Sequence, residues 1–402
     1  MNVANARPVA VRLAWVYGTI FFIVGLQTAY LPAWLLARGM TEAGIGIILS
    51  IPMLVRVVTT PLITFGADRF QRQRQTMVVL AWGVLASVTA LAFAHSFIAI
   101  LLAMICVATF WTTVMPMTEA LTMRGVRALG LEYGHIRLWG SLTFIAASLV
   151  GGWVLGRFGA EPVVPMMIAA AVALVLASHV ILRAPFPTHQ DEREAGAAKR
   201  IEFRDVVALL TDNRFLFLFV ASGVAQATHA VYYAFGTIHW QSIGMPTTLI
   251  GVLWAIGVIA EIALFLIAGR VLRWVGSAQL ICLGAIAGMV RWGITSFDPS
   301  FGVLCGVQVL HGLTFGATHL GAVHLIADLA GDDRAATAQG LHSTFAAGIF
   351  MAAAIAASGP LYRSLNGGAY LAMMGLSLVA AIAAVLLIVS LKRQPQSAGS
   401  GG

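Results

Sequence analysis

The chain has 402 residues, 59% of them hydrophobic and only 10% charged, with a mean hydropathy of +0.89. A soluble domain of that length carries about a quarter charged residues, so a water-soluble globular protein is excluded. The net charge of +8 would suit nucleic acid, but the basic residues sit between apolar runs in a pattern that argues for a membrane instead.

Taken in chain order, twelve runs of about twenty apolar residues recur, each long enough to cross about 30 Å of hydrocarbon as a helix. The ten-residue alternation of a membrane β-barrel is absent. Span 1 (14–36) follows Arg7 and Arg12, as a secretory signal core would. Its apolar part is too long for such a core and Pro32-Ala33-Trp34 is a poor cleavage site, so it is expected to be retained. It carries a line of Gln27, Tyr30 and Trp34. Span 2 (42–66) holds Arg56 near its middle, and span 3 (76–95) carries no acid. Span 4 (97–121) holds Glu119 near its inner end, span 5 (134–157) holds Arg137 about one turn in, and span 6 (163–183) closes the first half. Residues 184–213 are the long polar segment, with Pro185, Pro187, Asp191-Glu192-Arg193-Glu194 and Lys199-Arg200, and read as a solvated linker. Span 7 (214–239) presents Gln226, His229, Tyr233 and Thr237 within about 80° of one helix face. Span 8 (247–269) holds Glu261 near its middle, span 9 (276–296) holds Arg291 near its outer end, and span 10 (300–326) holds His311, Phe315 and His319. Spans 11 (336–360) and 12 (368–391) lead to a Ser/Gly-rich tail. The expected plan is an all-α membrane protein: a six-helix bundle over 1–183, a cytoplasmic linker 184–213, a second bundle over 214–391 and a cytoplasmic tail 392–402.

With the N-terminus inside, eighteen of the 24 basic residues fall in cytoplasmic segments, three (Arg38, Arg157, Arg363) fall outside and three lie within spans. That asymmetry predicts both termini in the cytoplasm. An internal match supports a duplicated unit. At an offset of 205 residues, Gly39-Met40-Thr41 through Gly46 lies over Gly244-Met245-Pro246 through Gly251, and Arg56 lies over Glu261. Six helices per half make the repeats parallel, an arrangement that carries its substrate site at mid-membrane between repeats. Opposite charges at the mirrored position are what a pair meeting there would need.

A charge at mid-bilayer costs about 2.5–3.5 kcal/mol on insertion scales, so Arg56, Glu119, Arg137, Glu261 and Arg291 are expected to face a partner or a watery path. For each, a bland reading stands beside the functional one. Glu119 and Arg137 share a depth and can pair, or both can snorkel to the inner interface. Arg56 and Glu261 can be a structural ion pair, and Arg291 can snorkel outward. The polar lines of spans 1 and 7 can be packing seams. Three arginines against two glutamates leave one positive charge, which favours an anionic cargo, because arginine suits bidentate capture of a carboxylate. His311 and His319 in one span read as proton-handling or substrate contacts. No histidine pair has metal-site spacing, Cys106, Cys282 and Cys305 form no ligand pair, and no GK[ST] phosphate loop, HExxH, CxxC or GxSxG element occurs. Neither a metal, a cofactor nor an enzyme activity is expected.

These residues resemble the major facilitator superfamily. Ala67-Asp68-Arg69 with Arg72 and Arg74 resembles its basic gating loop, with Thr64 in place of the leading glycine, and Asp332-Asp333-Arg334 through Gln339-Gly340 resembles the second-half counterpart. Leu31-Pro32-Ala33-Trp34-Leu35, Pro116-Met117-Thr118-Glu119, Glu132 through Ser141 and Leu310-His311-Gly312-Leu313-Thr314-Phe315 leading to His319-Leu320 are similar to the 3-phenylpropionate transporter branch, allied to lactose permease-like proton symporters. The resemblance implies a fold of two parallel six-helix bundles and substrate contact at Glu119 and Arg137. It also implies proton coupling through Glu261, Arg291 and His319. The acid expected three residues after that histidine is Ala322 here.

The reading that follows is a proton-coupled importer of a small aromatic monocarboxylate, monomeric, in a bacterial inner membrane, with Arg56, Gln27, Tyr30, Gln226, His229, Tyr233, His311 and Phe315 as further substrate contacts. Its partners would be the substrate, protons and lipid. A symporter of a neutral sugar or nucleoside, a drug/proton antiporter, and a non-transporting sensor or scaffold are the rivals.

Overall fold

The structure, a computed structural model, describes residues 3–70, 72–182, 203–331 and 334–393. Among these residues every regular element is helical. The first half runs α1 (Val3–Ala37), α2 (Glu42–Arg69), α3 (Gln73–Ala92), α4 (Phe97–Leu129), α5 (Tyr133–Phe158) and α6 (Val163–Leu182). A short α7 (Phe203–Thr211) follows, then α8 (Asn213–Ala227) and α9 (Ala230–Ser242), α10 (Thr247–Leu266), α11 (Ala268–Trp274) and α12 (Ser277–Thr295). Next comes α13 (Phe301–Val309), joined through a π-helical stretch, Gly312–Ala317, to α14 (Thr318–Ala330). A second such stretch, Thr344–Phe350, joins α15 (Ala335–Ser343) to α16 (Met351–Leu365), and α17 (Ala369–Lys392) ends the described chain.

Among the described residues eleven helical stretches are long and apolar enough to cross a membrane, and the last, Thr337–Lys392, is 56 residues long. A single 3₁₀ turn, Asn366–Gly368, divides that stretch, which yields the twelve expected spans. Local chemistry sets the ends. Ser96 accepts a hydrogen bond from the Ala99 N–H at the start of α4, and Gly130, at φ 64°, closes it in the left-handed conformation that glycine adopts without penalty.

Two features depart from the sequence reading. Part of the expected linker, 203–211, is helical; Leu209, 1% exposed, sits in a core with Phe215, Leu218 and Phe219. The remainder, 184–202, lies outside the described residues. Span 7 is not one straight helix either: α8 stops at Thr228, whose hydroxyl donates to the Ala225 carbonyl, and His229 N–H bonds back only three residues, to Gln226.

Two compact units emerge, and they do not follow the sequence halves. The first comprises 1–197 with 232–258 and 355–363; the second comprises 198–231, 259–354 and 364–402. In the first, α1 packs against α4, α5 and α6, α3 against α4 and α6, and α2 against α4. Val9, Leu13, Val16, Ile20, Ile23 and Leu26, three or four residues apart, form its buried stripe. Residues 232–258 and 355–363, the end of span 7, the start of span 8 and the end of span 11, belong to this unit through close crossings. A Cβ on Gly152 would stand 2.5 Å from the Thr247 carbonyl, so only glycine lets α5 and α10 approach so nearly. Thr247 donates to the Gly152 carbonyl at 2.8 Å, and Tyr362 stacks on Phe235 at 4.6 Å. In the second unit α12 packs between α14 and α17, and α8 lies against α17 and the 344–350 stretch.

Candidate functional site

In the second unit the candidate residues gather around Arg291. It is 0% exposed, which disfavours the alternative that it snorkels outward. Its Nη2 donates to Gln308 Oε1 at 2.7 Å, and its Nη1 lies 2.8 Å from His311 Nδ1, 2.9 Å from Thr314 Oγ1 and 3.3 Å from His229 Nε2. The guanidinium also lies 4.4 Å from the Trp292 ring centre. His311 Nε2 in turn meets Glu261 Oε1 at 2.8 Å.

Donor and acceptor logic fixes the protons. A guanidinium only donates, so His311 Nδ1 is a bare acceptor and its proton sits on Nε2, donated to Glu261. His229 Nδ1 lies 3.0 Å from the Gln226 carbonyl, which only accepts, so His229 carries its proton there and offers Nε2 to Thr314 and Arg291. The result is a continuous chain from Glu261 through a neutral His311 to a buried fixed cation.

The π-helical turn builds this junction. Gly312 and Gly316 face α10 so tightly that a Cβ would come within 2.9 Å of the Ala260 carbonyl and of the Leu264 side chain respectively. That brings the backbone of span 10 onto the helix carrying Glu261, and wide turns of this kind recur at functional sites. Phe315 stands between His311 and His319, near-parallel to both, at 5.5 and 6.1 Å. Thus His311 is the histidine placed between Glu261 and Arg291, while His319 is exposed at the far side of Phe315. Gln226 donates to the Phe315 carbonyl at 3.4 Å.

The first unit holds a looser group. Arg137 Nε stands 3.9 Å from Glu119 Oε1, with about 30% of each side chain exposed. Tyr133 donates to the same Glu119 oxygen at 3.1 Å, and the guanidinium lies over Phe21 at 4.0 Å. Gly140 permits this, since a Cβ there would be 2.7 Å from Phe21 and 3.0 Å from Arg137 Nη1. The pairing of Glu119 with Arg137 therefore holds, at the long end of an ion pair. Arg56 is half-buried and makes no hydrogen bond, ion pair or ring contact with any described residue.

Other candidates fall outside both groups. Tyr30 is fully buried and its hydroxyl donates to the Ser148 carbonyl, a packing role. Gln27 is half-buried with its Oε1 shielded and unbonded. The four-residue line of span 7 is split by the break at Thr228, with Gln226 and His229 in the second unit and Tyr233 and Thr237 in the first. Tyr233 stacks on Trp254 at 6.3 Å. Arg69 is exposed at the end of α2, whereas the side chain of Asp68 lies outside the described residues, as do Asp332 and Asp333. An apolar groove of about 670 Å³ runs between α1, α5 and α6, past Trp15, Phe22 and Trp139, and none of the candidate residues lines it. Among the described residues no group of His, Cys, Asp or Glu could hold a metal.

Sequence reasoning missed Gln308, Thr314, Tyr133 and Phe21. The first two were legible: Gln308, His311 and Thr314 recur every three residues, as polar groups on one helix face would.

A family model described as the MFS_1 like family matches residues 10–373. The chain belongs to that family. This MFS_1 like protein is a multi-pass membrane transporter of the major facilitator type, not an enzyme. It is 30% identical over 364 residues to the probable 3-phenylpropionic acid transporter of Escherichia coli (strain K12), covering 90% of this chain and 93% of that one. It is 25% identical to the maltose permease of Geobacillus stearothermophilus, covering 95% and 94%. The crystal structure of the nucleoside transporter NupG superposes with a TM-score of 0.80 at 16% identity, covering 98% of this chain and 100% of that chain, a likeness of fold.

Proposed function

We propose that this MFS_1 like protein carries a small aromatic monocarboxylate inward together with protons, by alternating access, as a monomer in a bacterial inner membrane with both termini in the cytoplasm. The observation that carries the reading is the chain from a partly exposed Glu261 through buried His311 to buried Arg291. A carboxylate in the membrane interior is a group that can load and unload a proton, and here it is wired to a cation that cannot lose its charge. Protonating Glu261 removes the negative charge that offsets Arg291 and leaves the interior more positive, which favours binding of a carboxylate. Losing that proton restores the negative charge and favours release. The sign suits symport of an acid with a proton.

Three further points support the details. The E. coli relative is a probable transporter of 3-phenylpropionic acid, an aromatic monocarboxylic acid. The excess of basic residues in alternate loops supports the orientation. Phe21 and Tyr233 in the first unit and Phe315 in the second offer aromatic faces that suit a ring-bearing acid, Gln27 and Gln226 are the polar contacts assigned to each unit, and His319 is a second proton-handling group. A sugar or nucleoside symporter is the competing reading, favoured by the maltose permease likeness.

Uptake of labelled 3-phenylpropionate into proteoliposomes under an imposed pH gradient tests the reading. Accumulation should follow the gradient, and Glu261→Gln should abolish accumulation while sparing exchange of labelled for unlabelled acid. Competition by maltose or nucleosides but not by aromatic acids would reject the substrate class. Gradient-driven accumulation by Glu261→Gln equal to the wild type would reject Glu261 as the carrier.

A further inference from the structure

The two acids inside the spans are engaged, Glu119 with Arg137 and Glu261 with the His311–Arg291 chain. One cation is left over. Arg56 lies fourteen residues from Glu42 and thirteen from Arg69 in α2, about 20 Å from either end at 1.5 Å per residue. An arginine stem cannot bridge that distance to a headgroup, so snorkelling does not account for it. No described residue bonds it.

Its surroundings sharpen the point. Thr60, one turn along the same face, lies 3.0 Å from Thr112 Oγ1 on α4, and the Thr112 hydroxyl is itself donated to the Ala108 carbonyl at 2.7 Å. Thr60 must therefore be the donor to Thr112, and Thr59 gives its proton to the Val55 carbonyl. The hydroxyl protons of Thr59, Thr60 and Thr112 are spent on the protein, whereas the five N–H groups of Arg56 are not. Arg291, by contrast, is buried among Gln308, His311 and Thr314, and Arg137 already shares Glu119.

We propose that Arg56 is the anchor for the carboxylate of the transported acid and the residue that makes the protein select acids over their neutral analogues. This rests on the reading of the protein as an acid transporter. A bidentate guanidinium–carboxylate contact would supply the missing acceptors and cancel the surplus charge.

The test is binding to purified protein, by calorimetry or thermal shift, of 3-phenylpropionate and of its neutral amide, with wild type, Arg56→Gln, Arg56→Lys and Arg137→Gln. Wild type should prefer the acid. Arg56→Gln should lose about tenfold or more of acid affinity, the value of a charged hydrogen bond, while its amide binding stays near that of wild type. Arg56→Lys should fall between, and its binding shows that a loss in Arg56→Gln is not misfolding. Acid affinity in Arg56→Gln within twofold of wild type, or a larger loss in Arg137→Gln than in Arg56→Gln, overturns the anchor and leaves the acid-transporter reading standing. A wild type that binds neither this acid nor benzoate, but binds a nucleoside or maltose, overturns both.

Discussion

The two charged groups inside the spans are built to different standards. Around Arg291 the contacts to Gln308, His311 and Thr314 are 2.7–2.9 Å, the cation is fully buried, and its histidine neighbours are tautomerically fixed. Around Arg137 the ion pair is stretched to 3.9 Å, a third of each side chain is open, and an aromatic face takes the place of further acceptors. A dense, closed network suits a charge that must stay put while one proton comes and goes. A loose, partly open one suits residues that exchange partners with a ligand. The difference is one of tolerance: the first should respond to any change, the second should adjust.

The largest effect should follow from breaking the dense group. Replacing Arg291 with Gln removes the donor to Gln308, His311 and Thr314 and strands Glu261 without its linked cation. Removing one partner of a buried charge network costs about 3–5 kcal/mol. Thermal unfolding in detergent should show a large drop in stability together with lost uptake. A variant as stable as the wild type would mean that the network is no more demanding than the Arg137 group, and the contrast would collapse.

The looser group gives the intermediate case. Glu119→Gln keeps an acceptor for the Tyr133 hydroxyl and removes the charge facing Arg137. A partly exposed pair of this length is worth about 0–1 kcal/mol, so unfolding should shift little. Transport should change through apparent substrate affinity, with the maximal rate less affected. A stability loss as large as that of Arg291→Gln would show that the group is a structural clamp.

The sequence made one side of this contrast legible and obscured the other. Apolar runs placed the twelve spans, and shared depth paired Glu119 with Arg137, because both follow from regular helices counted at fixed rise. The Arg291 network depends on departures from regularity. Between His311 and His319 the π-helical turn shifts the angular register, so α-helical spacing could not tell which histidine would meet Glu261. The break at Thr228 likewise turns Gln226 and His229 toward one group while Tyr233 and Thr237 belong to another. Sequence alone left two readings of Arg291 open, a partnered cation or one reaching the interface, because its partners come from α13 and from the residues around these two irregularities.

The smallest effect is expected at Asp212, which belongs to neither group. Its carboxylate caps α8 by accepting the Arg214 N–H at 2.8 Å and pairs with that guanidinium at 2.6 Å. The hydrogen bond from the Arg214 side chain, reinforced by its charge, holds the Asp212 carboxyl below its ordinary range. A depressed acid contributes stability that is present above its unfolded value of about 3.9 and is lost as pH falls through the lower folded value. Asp212→Asn keeps an oxygen for the cap and removes only the charge, so at neutral pH it should cost less than about 1 kcal/mol. The gap from wild type, followed by thermal unfolding at stepwise lower pH, should narrow through the acid range, and uptake at pH 7 should be unchanged. If uptake at pH 7 fell as far as it does on losing Arg291, charge anywhere in the chain would matter to transport, and the division between a proton-handling group and a ligand-handling group would carry no mechanistic weight.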